Sequence, residues 1–291
     1  MHSRNLLILS LLGAALLCGA VRAEVPVSAE FSVGIHSKTF YYGCVDINEP
    51  VLMTSGCLTF FDWVCIGTEA VFDLTHYGRR AGYSDRFFKC VELDPNASIL
   101  HSFSPDDFAW LPTTVEVELN YSYEYMAWTR SSGWNRKEPD TQYWSFYMSF
   151  PDLWIEPRFC YERDTIRDNG TYLNLSVGHT FSLIDGDGKD SDPVLSLRPS
   201  IAQGFGNRAR VRYYLWLDEE TPLNHAGLMD TVVKLKLTWK VSEWLKFSAY
   251  VGYSDFLFDR RIREASRNYE ATGDWTHSWN FIGGCAFTAE F

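Results

Sequence analysis

The stretch TTVEVELNYSYEYM, residues 113–126, alternates without interruption. Val115, Val117, Leu119, Tyr121, Tyr123 and Tyr125 fall on one side, and Glu116, Glu118, Asn120, Ser122 and Glu124 on the other. A period of two over this length is a β-strand with one apolar and one polar face. Strands of soluble sheets run to about five or six residues and bury aliphatic side chains, whereas this one ends its apolar face in three tyrosines. Lipid against the apolar face and water against the polar face would account for both features. A strand crossing a bilayer in a closed barrel needs roughly 9–11 residues and carries an aromatic girdle where the membrane meets water.

Segments of the same kind recur along the chain, and twelve can be counted. The first half holds 27–36, 51–60, 64–74, 90–103 and 113–126. The second holds 142–150, 153–162, 171–183, 193–202, 231–239, 244–256 and 277–291. Tight turns such as FDW (61–63) and PD (151–152) alternate with long polar connections, as periplasmic turns alternate with extracellular loops in outer-membrane barrels. Pro95 interrupts the fourth segment, and RARVRYYLWLD (208–218) alternates well enough to extend the ninth or to form an outer hairpin, so ten and fourteen strands are the alternatives to twelve.

Composition agrees with this reading. The chain of 291 residues is 16% aromatic, and its mean hydropathy is only −0.18, which suits interfacial rings better than a dry aliphatic core. Residues 1–23 read as a secretory signal peptide, with Arg4 in a short basic start and an apolar run from Leu6 to Leu17 before a cut after Ala23. Cys18 would suit a lipoprotein signal only if a small residue preceded it, and Leu17 does. The predicted domain is then 24–291. The formal charge of the whole chain is −11, and the signal takes away two arginines and no acid. Such a chain has no general basic footprint for nucleic acid.

A resemblance rests on VGIHSKTFYYGCVDINEPVL (33–52), TQYWSFYMSF, YERDTIRDNGTYLNLSVGHTF and VSEWLKFSAYVGYSDFL. These runs are similar to the opening motif and strand–turn patterns of the TorF-type porin family of bacterial outer-membrane proteins, and the likeness extends over most of 27–291. The chain departs from that family in lacking a basic residue near the end of the opening motif, where Tyr42 precedes Gly43. The resemblance implies an all-β transmembrane antiparallel barrel in the outer membrane. Phe291 closes an alternating run through Phe281, Gly283, Cys285, Phe287 and Ala289. It resembles the terminal aromatic signal read by the barrel-assembly machinery, an expected partner beside outer-membrane lipid and small polar solutes.

Parity assigns every strand charge to a face. An acidic arc of Glu30, Glu69, Asp73, Glu92, Asp94, Glu116, Glu118 and Glu124 is expected inside the barrel, facing a basic arc of Arg158, Arg198, Lys234, Lys236 and Lys246. Arg208, Arg210 and Arg212 would follow the ninth strand upward. Six cysteines follow residue 23, in a compartment that permits disulfides. Cys57 and Cys65, taken as symmetric about Phe61, are expected within bridging reach on the inward face, and Cys44 and Cys90 form a second candidate pair beside the first outer loops. No CxxC or clustered His/Cys spacing points to a metal, and no cofactor is expected. DGDGKDSD (185–192) resembles the start of a calcium loop, but Ser196 stands where the bidentate Glu should be. His179 in GHTFS lies on the outward side and Ser182 on the inward side, so no catalytic pair is expected. The sequence thus predicts a porin-like passive channel for small hydrophilic solutes. A plugged structural or adhesive barrel and an outer-membrane hydrolase are the alternatives.

Overall fold

The computed structural model describes residues 26–45, 47, 49–75, 88–125, 140–186, 192–215, 221–267 and 278–291. The expected signal peptide and most of the acidic run 185–192 lie outside these residues. Twelve long antiparallel strands close into a barrel. In chain order the first half comprises β1 (Val27–His36), the short hairpin β2 (Phe40–Tyr41) and β3 (Cys44–Val45), then β4 (Val51–Phe60), β5 (Val64–Asp73), β6 (Lys89–Phe103) and β7 (Val115–Glu124). The second half comprises β8 (Thr141–Ser149), β9 (Arg158–Asp164), β10 (Thr171–Gly178) with its short continuation β11 (Phe181–Ile184), β12 (Leu195–Gly206), β13 (Gly227–Lys240), β14 (Leu245–Asp255) and β15 (Trp279–Glu290). Each of the twelve long strands pairs with the next long strand in the chain. β1 closes the ring against β15, from Glu30 opposite Glu290 to His36 opposite Gly284.

The faces are inverted relative to a soluble protein. Phe31, Ile66, Leu119, Leu175, Val233 and Val251 are exposed on the outside, while Asp73, Glu92, Glu124, Ser145 and Asp164 are buried inside. Closure matters because a bilayer offers no water to an unpaired strand edge. Aromatic residues gather at the short-turn end, where Trp63, Trp110, Trp154, Trp244 and Phe291 are all exposed, as an interfacial belt requires.

Three local departures from the sequence reading have identifiable causes. Pro95 stays inside β6, paired with Thr68, but it cannot donate to β7. The β6–β7 ladder therefore stops at Asn96 opposite Ser122 and resumes only as a bridge between Leu93 and Tyr125. The segment 153–157 is not strand. Phe150 donates to Pro157 O across a turn in which Glu156 takes a positive φ of 37°, and β9 begins after the proline. Residues 208–214 form a helix, α1 (Arg208–Tyr214), rather than a continuation of β12. Asn207 accepts from the Arg210 amide at 3.0 Å and so starts the turn. A second short helix, α2 (Arg260–Ser266), is capped by Asp259.

Candidate functional site in the barrel lumen

With the tight turns placed at the periplasmic end, the lumen divides into two halves of different character. At the outer end the chain leaves β1 at His36 and turns inward, Ser37 N donating to Gly283 O at 2.8 Å. The β2–β3 hairpin that follows turns at Tyr42 and Gly43, both with positive φ. A Cβ on Gly43 would collide with the Phe256 ring, so glycine is needed there for space as well as for conformation. The hairpin spans the mouth. Tyr41 donates to Glu92 on β6 at 3.4 Å, and Tyr42 donates to Glu162 on β9. Burial, reinforced by these acids, holds both hydroxyls well above the ordinary tyrosine pKa, so they remain neutral donors.

Tyr42 also rests on α1. Its ring lies 4.1 Å from the Arg210 guanidinium, 4.8 Å from the Tyr172 ring and 5.3 Å from the Tyr214 ring. Arg210 is fully buried. Its Nε stands 2.8 Å from Asp168 Oδ2 and its Nη2 3.3 Å from Glu162 Oε1, the first contact being an ion pair rather than an aligned hydrogen bond. Val211, Leu215, Leu223, Met229, Phe256, Ile262 and Ala265 pack behind it, so loop helices and strand ends form a dry core inside the mouth. Beside β4–β6, Ile47, Val51, Val71 and Val91 form another.

The other half is wet. Lys234 and Lys236 are solvent-exposed, yet they sit opposite in face to the lipid-side Val233 and Leu235 and therefore point into the barrel. Arg158, also exposed, begins β9 near the periplasmic end, 5.2 Å from the Tyr147 ring. Lys234 Nζ stands 5.2 Å from the Tyr250 ring. The charges of Lys236, Arg198 and Arg158 all act on Lys234. Long side chains surrounded by a wall and still reached by water line an aqueous space.

The expected arcs are therefore spread in height as well as around the ring. Glu69, Glu92, Asp94 and Glu124 interact as one group under the hairpin, the charge of Arg167 reaching it. Two of the predicted lumen acids serve local structure instead. Asp73 accepts from Thr75 N at 2.7 Å and Thr75 Oγ1 at 2.8 Å, ending β5. Glu124 pairs with Arg167 and accepts from Tyr143 at 2.5 Å. Glu116 accepts from Ser149 at 2.7 Å, Glu30 acts on Lys236 from across the seam, and Glu118 lies near Cys160. Among the bases, Arg198 is 2.9 Å from Glu156 and Lys246 is 2.8 Å from Glu290. The residues that organise the mouth, Tyr41, Tyr42, Glu162, Asp168 and Arg210, were not legible as a group. The local signals were the YYG run and the capping asparagine before α1.

The cysteines are disposed differently from their expected pairing in two respects. Cys57 and Cys65 are joined, with Cα atoms 6.2 Å apart, but they are diagonal rather than opposite. Cys57 faces Gly67 and Thr59 faces Cys65, because the hairpin is centred on Asp62, with Phe61 and Asp62 both at positive φ. Cys44 and Cys90 are not bonded to each other. Cys44 lies in the mouth core near Tyr172 and Val211, and the Cys90 thiol donates to Glu92 O at 3.3 Å. His179 Nδ1 lies 2.7 Å from Trp154 O, and Ser182 bonds to Asp185, so the two are engaged separately. No metal-binding cluster occurs among the described residues.

A closed twelve-stranded ring that is apolar outside and polar inside defines a bacterial outer-membrane β-barrel. Its outer wall contacts membrane lipid. No family model matches the sequence, and no curated protein matches it. Among solved structures, the chain is similar to an outer-membrane channel from Pseudomonas putida F1, with 9% identity, 92% of this chain and 97% of that one covered, and a TM-score of 0.49. It is also similar to OmpT, an outer-membrane protein of Vibrio cholerae (11% identity, 92% and 97% covered, TM-score 0.36), and to Pseudomonas aeruginosa OpdK in its complex with vanillate (8%, 92% and 60%, TM-score 0.36).

Proposed function

We propose that the protein is a porin-like passive channel for small hydrophilic solutes, narrowed at its outer mouth by the β2–β3 hairpin. The observation that supports this reading is the exposure of Lys234 and Lys236 inside the barrel, which a wall packed for support alone would have paired or buried. Selection would come from bore and from wall charge. The TorF-type family that the sequence resembles fits this role, and assembly through the barrel-assembly machinery at Phe291 belongs to the same proposal. The test is single-channel recording on protein refolded into a planar bilayer, where discrete conductance steps are expected. A second reading, a plugged structural barrel, is favoured by the dry core around Arg210 and would give a silent bilayer.

A further inference from the structure

We infer that the lumen holds, between the middle of β13 and the periplasmic start of β9, a binding site for a small oxyanion, of carboxylate or phosphate chemistry, built on Arg158, Lys234 and Lys236. The inference deepens the channel reading by naming the class of solute that the wall would favour. It starts from how this barrel treats its other lumenal cations. Lys246 has Glu290 at 2.8 Å, Arg198 has Glu156 at 2.9 Å and Arg167 has Glu124. Among the described residues, Arg158, Lys234 and Lys236 have no carboxylate within ion-pair distance, although the charges of Lys236 and Arg158 act on Lys234.

The surroundings sharpen the point. Arg198 adds to the positive side, and the charge of Glu30 reaches Lys236. Like charges held together in a concave wall repel one another and focus a positive potential into the space between them. An anion entering that space relieves the repulsion and gains charge-assisted hydrogen bonds. Arg158 offers a planar fork suited to a carboxylate or phosphate edge, and the two lysines offer rotatable point charges. Tyr147 beside Arg158 and Tyr250 beside Lys234 supply ring faces for an organic body, Tyr250 being held by a 2.9 Å contact between its hydroxyl and His36 Nδ1. Because both lysines stay exposed, the site is reached from the lumen without rearrangement of the wall.

The experiment has a binding arm and a conduction arm. Refolded protein in detergent is titrated with inorganic phosphate and, separately, with succinate, followed by calorimetry at low chloride. The same protein in a bilayer is examined for reversal potential in a potassium chloride gradient and for block of chloride current by either anion. Saturable binding, anion preference and block are expected. Phosphate and succinate together would define a general oxyanion site, and one without the other would fix its chemistry. Lys234→Gln with Lys236→Gln should lower affinity at least about tenfold, the effect of losing one charge-assisted contact. Arg158→Gln should do the same if the double variant does not fold, while Arg260→Gln, in the outer helix, should leave binding unchanged. No saturable binding of either anion, or binding unaltered by both lumenal variants, would overturn the inference. Binding in a protein that passes no current would leave the site standing and sink the channel reading instead.

Discussion

Arg210 shows how much can rest on one side chain. It is completely buried between Glu162, Asp168 and three tyrosine rings, and the attraction of these groups outweighs the burial that would otherwise favour its neutral form. Replacing it by Met would keep much of the volume but leave two acids inside the mouth without their cation. Breaking a buried pair in this way costs about 3–5 kcal/mol. The loss should be local, so the amides of Val211 in α1 and of Leu215, which caps it, are expected to exchange with deuterium far faster in Arg210→Met, while those of β14 and β15 hold. Equal protection in both proteins would show that the apolar cluster alone seals the mouth. On the opposite face Val251 is 63% exposed near the middle of β14, which places it against lipid. Val251→Arg should therefore destabilise the barrel by about 2–4 kcal/mol in lipid unfolding measurements. A neutral result would mean that this wall does not meet hydrocarbon.

At the scale of elements, the seam between β1 and β15 depends on the end of the last strand. Phe291 exchanges both backbone hydrogen bonds with Ala29, at 2.9 and 3.0 Å, and its ring stacks on Trp244 at 6.2 Å. Deleting Phe291 should remove that final pair and one ring of the belt, and lower the fraction of heat-modifiable folded barrel on a gel. An undiminished folded band would argue that the remaining β1–β15 ladder closes the ring unaided. These elements were legible because alternation, the property read from the sequence, is also what a wall between lipid and water demands. Most strand positions followed from it within a few residues. Residues 208–214 misled the reading because Arg208, Arg210 and Arg212 alternate, while Val211 and Leu215 equally fit a helical spacing of four, and only Asn207 at the cap decides between them. Residues 153–157 misled it because apolar belt residues in a turn look like strand when Pro157 is not weighed. Pairings across the mouth have no sequence period at all. Tyr42 and Glu162 are 120 residues apart, and only closure of the ring brings them together.

For the whole molecule, the division into a dry outer mouth and a wet, basic inner half separates two properties that a uniform pore would mix. On the proposed channel reading, the width available to solutes would be set where the β2–β3 hairpin crosses from Glu92 to Glu162. On the proposed reading, charge preference would be set where Lys234 and Lys236 remain exposed. In a series arrangement, resistance collects at the narrowest segment, whereas selectivity follows the potential at the charged one. Tyr41→Ala combined with Tyr42→Ala would remove both hydroxyl anchors and the ring that covers Arg210, freeing the hairpin from the two walls without touching a lumenal base. Single-channel conductance is expected to rise in this variant, or to appear if the wild-type barrel is silent, while the anion-to-cation permeability ratio stays near that of the wild type once current can be measured in both. A large change in that ratio with little change in conductance would place the selecting charges in the mouth, on Arg210 and its acids, and would reverse the roles assigned here to the two halves of the lumen.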